Sequence, residues 1–293
     1  MLVRPSRAAV EAIVRMALLE DAPWGDLTSQ TLLPDSATVS AHLVAREGGV
    51  LCGEDLIEAA FTLTDPAVSV RFERHDGDTF PSGARLATIQ GPARAILQAE
   101  RIALNFAQRL CGIATLTAAY VGQTKGTRAR ITDTRKTTPG LRLFERYAVR
   151  CGGGQNHRFS LSDAVMAKDN HLALLSAKLP EALRSARAAL PHTVCIEVEI
   201  DRLEQLSELE PLLGAAVHTV LLDNFSLEDL RIAVERIAHR ALTEASGGIT
   251  LESVAAIAAT GVDILSVGAL THSPRALDLG LDIEAAASST EER

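Results

Sequence analysis

The sequence predicts an α/β protein in two parts, a small mixed layer over residues 1–111 and a β/α barrel after it. Three observations carry this. The 293 residues are 47% hydrophobic, enough for one large domain, or one large and one small, that buries roughly three quarters of the unfolded surface. Up to Cys111, helix-spaced stretches mix with segments that alternate apolar and polar residues, whereas beyond Gly112 apolar strands and short helices follow one another regularly. In that second stretch, charged or small residues recur just after the strands.

In chain order, Val10, Ile13, Val14, Ala17 and Leu18 repeat at helical spacing behind Ser6, a natural N-cap. Residues 21–28 read as a loop, and 39–45 and 68–74 as strands. In the second of these, Val68, Val70 and Phe72 alternate with Ser69, Arg71 and Glu73, the period of a sheet covered on one face. Pro81-Ser82-Gly83 marks a turn, 86–89 another strand, and 92–110 a helix with proline in its first turn. Strands are then expected at 129–132, 193–199, 217–222, 242–244 and 263–267. Helices are expected at 141–151, 180–190, 203–209, 227–241 and 251–259. Such short alternation, without a visible reversal of strand order, favours a barrel over a doubly wound sheet. Residues 281–283 are expected to pack back on the core, and 288–293 to fray.

Composition removes several function classes. Lys+Arg 29 against Asp+Glu 37 leaves a net charge of −8, which argues against broad nucleic-acid binding but not against a local anion pocket. Cys52, Cys111, Cys151 and Cys195 are far apart and form no CxxC. They read as reduced, mostly buried thiols of a cytoplasmic protein rather than as a zinc set. The amino terminus has no apolar signal core and no membrane run.

In a β/α barrel, chemistry sits just beyond the carboxyl ends of the strands. The first barrel strand leads into Asp133-Thr134-Arg135-Lys136-Thr137-Thr138-Pro139-Gly140. There a planar fork and a point charge stand side by side, suited to a carboxylate or phosphate; an exposed loop is the other reading. Gly152-Gly153-Gly154 precedes Asn156-His157-Arg158 without the GxGxxG spacing of a dinucleotide site, and His157 taken alone reads as structural. Lys168 follows the apolar run Ala164–Ala167, so it needs a partner: an interior counter-ion, a substrate carboxylate or a carbonyl for Schiff-base chemistry. Glu197 and Glu199 share one strand face and Asp223 ends another strand. Such acids suit ribose hydroxyls or a magnesium hydration shell, or a structural network with arginines. Ser246-Gly247-Gly248 and Gly268, with His272 close behind, follow consecutive strands. Small residues ahead of helix N–H groups suit a phosphate; ordinary turns are the alternative.

Taken together and in this order, TRKTTPG, GGGxNHR, KDNH, LDN and SGGI resemble the quinolinate phosphoribosyltransferase family, and the likeness runs from the loop at 20–28 to 268–273. The resemblance implies an N-terminal α/β sandwich domain over 1–111 and an incomplete or atypical barrel of the type II phosphoribosyltransferase kind over 112–272. Residues 273–293 are implied to return toward the first domain. It implies the joining of quinolinate to 5-phosphoribosyl 1-pyrophosphate with Mg²⁺, giving nicotinate mononucleotide, pyrophosphate and carbon dioxide for NAD synthesis. It also implies a head-to-tail homodimer with shared active sites, whether or not dimers assemble further. Arg135, His157, Arg158 and Lys168 are implied for the quinolinate carboxylates, with Arg101 reaching in from the neighbouring subunit. The helix around Arg101, read alone, makes it a solvent-facing charge. Lys136 is implied for the pyrophosphate, and Glu197 and Asp223 for the ribose and the metal, directly or through water. Ser246, Gly247, Gly248, Gly268 and His272 are implied for the 5-phosphate. Lys136, Lys168, Glu197 and Asp223 form the catalytic set. Rival readings are transfer to another pyridine or aromatic acid, a Lys168 Schiff-base lyase, and a non-catalytic module that binds a phosphorylated metabolite.

Overall fold

The structure is a computed structural model describing residues 2–175 and 178–284; the expected fraying of 288–293 lies outside the described residues. The chain opens with α1 (Arg7–Asp21), α2 (Leu27–Leu32), β1 (Thr38–Ala45), β2 (Gly49–Val50), α3 (Glu54–Thr64), β3 (Ser69–Phe72), β4 (Thr79–Phe80) and β5 (Arg85–Pro92). It continues through α4 (Ala93–Gln123), β6 (Arg130–Thr132), α5 (Arg142–Cys151), β7 (Val165–Ala167), α6 (Asp169–Leu175), α7 (Leu179–Ala189) and β8 (Ile196–Ile200). The last elements are α8 (Leu203–Leu209), β9 (Thr219–Asp223), α9 (Leu227–Ile237), β10 (Leu242–Ser246), α10 (Val254–Ala258), β11 (Ile264–Ser266), α11 (Ala269–His272) and β12 (Leu279–Ile283).

Two compact units result. One falls within Met1–Leu116, Pro139–Gly153 and Pro274–Arg293, the other within Thr117–Thr138 and Gly154–Ser273. The two units are therefore interleaved along the chain. Two features explain this. Helix α4 does not stop near residue 110, because Gly112 is there for space rather than as a break: a Cβ on it would lie 2.1 Å from the Arg275 carbonyl oxygen. And α5 belongs with the first unit, where Glu145 accepts from Arg109 at 2.8 Å and the Tyr147 hydroxyl donates to Asp76 at 2.8 Å.

The first unit is built on an antiparallel sheet in the order β12-β1-β5-β3, beside a small β2-β4 pair. Strand β12 joins it at the edge, Ala41 facing Ile283 and Ala45 facing Leu279. The N-cap of α1 is Ser6, whose hydroxyl accepts the Ala9 N–H at 3.3 Å. The expected loop at 21–28 ends sooner than its length suggests, since Asp26 caps α2 through the Thr28 N–H at 3.0 Å. Cys52, Cys111 and Cys151 are buried and Cys195 is exposed. Folding brings the sulfurs of Cys52 and Cys151 and the Asp76 carboxylate within 4.8 Å of one another. Asp76 is already occupied there by the N–H groups of Gly53 and Glu54 and by Tyr147. Burial pushes the Cys111 thiol up to about 12 and that of Cys52 well above its ordinary value, so these two are held as thiols.

The second unit is a six-stranded parallel sheet in the order β6-β11-β10-β9-β8-β7. The first strand pairs with the last and the rest follow in sequence, so no switch point exists and the sheet curls as a barrel. The other edge of β6 carries an isolated parallel bridge from Thr132 to Gln155, in place of a full ladder, which leaves the barrel incomplete. Its strands are apolar because helices cover one face and the interior the other: Ile131, Ile196, Val198, Val220, Leu222 and Leu265 are at most 2% exposed. Among the described residues, no helix is long and apolar enough to cross a membrane.

Candidate active site

The strand ends of the second unit converge on a cavity of about 440 Å³. Thr134, Arg135 and Lys136 enter it just after β6 and Lys168 just after β7, while Asp223, Ser246 and Ser266 close β9, β10 and β11. The ladder sets their levels. Glu199, Leu221 and Glu244 form one layer, and Asp223, Ser246, Ser266 and Thr132 the next. Period-two geometry then turns both layers to one side.

Lys168 pairs with Glu199, which answers the question its apolar approach raised. Glu197, one step down the same face, meets a different partner: His157 Nε2 lies 3.1 Å from Glu197 Oε2 and 3.4 Å from Glu244 Oε1. The Gly-rich turn places that imidazole. Fully buried Asp133 accepts the His157 N–H at 2.8 Å and the Asn156 amide at 2.5 Å. The Arg158 N–H donates to His157 Nδ1 at 2.7 Å, leaving the ring proton on Nε2 toward the two acids. Burial lowers the pKa of His157, but the hydrogen bond to Glu197 and the negative charge of Glu197 and Glu244 outweigh it and raise it above the ordinary imidazole range. Burial lifts the Glu197 carboxyl above its usual range, partly offset by His157 and reinforced by Glu244. The Arg158 guanidinium is lowered by burial and by the charge of Arg135; it also donates to the Ala164 carbonyl at 2.9 Å.

The two glycine turns also serve this end of the barrel. Gly247 has φ +96°, and a Cβ there would lie 2.1 Å from Asn224 Oδ1. Asn224, itself left-handed at φ 58°, donates to Asp223 Oδ2 at 2.7 Å, so a missing side chain at 247 lets the Asp223 carboxylate be oriented. At Gly268 a Cβ would lie 3.2 Å from both the Lys136 chain and the His272 ring. The Thr271 hydroxyl donates to the Lys136 carbonyl at 2.7 Å, joining α11 to the Arg135–Lys136 loop.

Folding thus gathers Arg135, Lys136, His157, Arg158, Lys168, Asp223 and Ser246 around one cavity. It sets Glu197 against His157 and Gly268 and His272 against Lys136, and places Gly248 in the turn after β10. Arg101 is exposed on α4 in the first unit and is not among the lining residues. Glu244 is the lining acid that sequence reasoning did not single out as a site residue. It sits in the middle of the strand Leu242–Ser246, with buried neighbours on both sides. His157, Glu197 and Glu244 each offer a donor atom within 4.8 Å of the others, though an imidazole in the set is unlike magnesium's preference for oxygen.

Comparison with known proteins agrees with this geometry. Residues 26–111 match the N-terminal domain of quinolinate phosphoribosyl transferase and residues 113–282 its C-terminal domain. The nicotinate-nucleotide pyrophosphorylase [carboxylating] of Mycobacterium leprae is 46% identical over 283 residues, covering 94% of this chain and 97% of that one. A probable nicotinate-nucleotide pyrophosphorylase [carboxylating] of Bacillus subtilis is 44% identical over 274 residues, covering 94% and 93%. The solved nicotinate-nucleotide pyrophosphorylase of Francisella tularensis superposes with a TM-score of 0.90 at 38% identity, over 97% of this chain and 99% of that one. The interleaved two-unit α/β chain with its incomplete barrel belongs to the quinolinate phosphoribosyltransferase family.

Proposed function

We propose that this cavity carries out the family's reaction with a division between a cationic half for quinolinate and an acid-bearing half for 5-phosphoribosyl 1-pyrophosphate. The observation that carries it is the lining itself: Arg135, Lys136, Arg158 and Lys168 share one cavity with Asp223, Ser246 and Glu244. Arg135, Arg158, Lys168 and His157 take the two carboxylates of quinolinate, with Lys168 exchanging Glu199 for the substrate. The ring nitrogen attacks ribose C1 with its own lone pair, so no base is required. Pyrophosphate leaves with its electron pair, and Lys136 compensates its charge. Asp223 and Glu197 hold the ribose and meet positive charge at C1. Ser246, Gly247, Gly248, Gly268 and His272 hold the 5-phosphate. The positive charge of the quaternised nitrogen then stabilises the electron pair left on the adjacent ring carbon as its carboxylate departs as carbon dioxide; protonation of that carbon gives nicotinate mononucleotide.

Mg²⁺ fits the oxygen donors: Glu197 Oε1 is buried without a hydrogen bond and Asp223 lines the cavity. Glu197 and Asp223 would hold it, directly or through water, and it would supply charge neutralisation to the departing pyrophosphate. The reading extends to a cytoplasmic homodimer with shared sites, in which the exposed Arg101 of one chain serves its partner's quinolinate. Return of activity on mixing inactive Arg101→Ala and Lys168→Ala chains tests that sharing. The main test is pyrophosphate release with Mg²⁺ and 5-phosphoribosyl 1-pyrophosphate, quinolinate against nicotinate. Release with quinolinate and very little with nicotinate is expected; equal rates would mean that the second carboxylate is not a binding handle.

A further inference from the structure

Glu244 is an acid that the division above leaves without a task. It lies within β10 and is 2% exposed, a costly place for a carboxylate unless a group of opposite sign meets it. Among the described residues that group is His157, 3.4 Å from Glu244 Oε1. The rest of the imidazole is already fixed, by the Arg158 N–H at Nδ1 and by Asp133 on its backbone N–H. One ring N–H is therefore faced by two acids from two strands, although it needs one acceptor. The nearer, Glu197, takes it at 3.1 Å. Glu244 Oε1 is left buried with no hydrogen bond made.

We infer that Glu244 is a positioning residue, which takes over the His157 N–H when Glu197 turns to the ribosyl half of the site. This rests on the assignment of His157 to quinolinate and Glu197 to ribose. With Glu197 as sole holder, engagement of the sugar would release the imidazole. Arg158 would be disturbed with it, because its N–H is tied to the same ring. A second acceptor, unfilled and on a separate strand, uncouples the two halves. It lets the quinolinate pocket keep its shape while the other substrate recruits Glu197.

The test is a double-mutant cycle on the full chain, following pyrophosphate release with Mg²⁺ and both substrates. Glu244→Ala should raise KM for quinolinate about tenfold while leaving KM for 5-phosphoribosyl 1-pyrophosphate within about twofold, a coupling of ordinary size for contacting residues. Glu244→Gln, which keeps one acceptor oxygen at the same size, should fall between. In a His157→Ala background, either Glu244 variant should add no further rise. Additive effects in the two backgrounds, or a rise confined to the sugar substrate, would overturn the inference. Should Glu244→Ala fail to fold, Glu244→Gln in the two backgrounds decides it. A wild-type chain that releases no pyrophosphate with quinolinate overturns the reaction itself, and this role with it; an active wild type with additive variants overturns only the role of Glu244.

Discussion

The buried acids of the first unit and two buried acids on the strands of the second, Glu197 and Glu244, treat charge in opposite ways. In the first, the buried acids are enclosed by donors. Glu54 meets Arg4, His75 Nδ1 at 2.7 Å and the Asp76 N–H at 3.1 Å. Fully buried Glu145 is held by Arg109 at 2.8 Å. Half-buried Asp76 is likewise closed, accepting from two N–H groups and a tyrosine hydroxyl. In the second, Glu197 and Glu244 each keep a buried oxygen with no hydrogen bond, around the same imidazole. A closed set of acceptors favours the folded state; an open one stabilises little by itself and is ready for a ligand. What separates scaffold from site is therefore the bonds left unmade, since burial is similar in both.

The sharpest way to break this contrast is to remove a charge from the open side. Lys136→Ala should lower kcat by about 10²–10³, roughly 3–4 kcal/mol, the loss expected when one group that stabilises developing negative charge is deleted. The contact that anchors this loop uses the Lys136 carbonyl rather than its side chain, so the calorimetric midpoint should stay near that of the wild type. A large fall in Tm with kcat intact would place Lys136 in the scaffold. On the closed side the signature inverts. Asp76→Ala leaves the Gly53 and Glu54 N–H groups and the Tyr147 hydroxyl without their acceptor. Stability should fall by about 2–3 kcal/mol while kcat/KM of the folded protein is unchanged. Lost activity at full stability would show that this acid is not closed off at all.

Part of this contrast was legible in the sequence. The apolar runs gave β6 and β8 to β11 within a few residues, because a parallel strand covered on both faces has no other way to be written. The period of two put Glu197 and Glu199 on one face, but their separate partners, His157 and Lys168, depend on which turns return to which strand ends. Two of the elements that escaped, and one helix boundary, have physical reasons. The strand Val165–Ala167 is three residues long, too short for any period to show. In α3, Leu56, Ile57, Ala59, Ala60 and Phe61 are all buried, so its polar stripe is narrow, Asp55, Glu58 and Thr62, and gives the turn little to mark it. Gly112 looked like a stop because close approach to Arg275 is invisible before folding. Glu244 was missed for a related reason. A lone acid in a strand has no local sign that two more side chains will meet it.

The smallest expected effect gives the contrast its most useful limit, because it concerns a closed acid inside the second unit. Asp263 precedes β11, at the amino end of the strands, where barrels carry stability rather than chemistry. Its Oδ2 accepts from the Thr243 N–H at 2.9 Å and hydroxyl at 2.8 Å, and its Oδ1 lies 3.3 Å from Arg128 Nε. Asp263→Asn can present its amide oxygen to Thr243 and its NH₂ to the Arg128 side. The buried half of the arrangement then survives, and only an ion pair is lost whose arginine side chain is 41% exposed. Exposed pairs contribute about 0–1 kcal/mol, so the stability change should lie in that range, with both KM values and kcat as in the wild type. If Asp263→Asn instead altered kcat or either KM, closure of the acceptor set would not mark a structural acid, and the distinction between the two kinds of buried charge would have to be drawn by position along the strands alone.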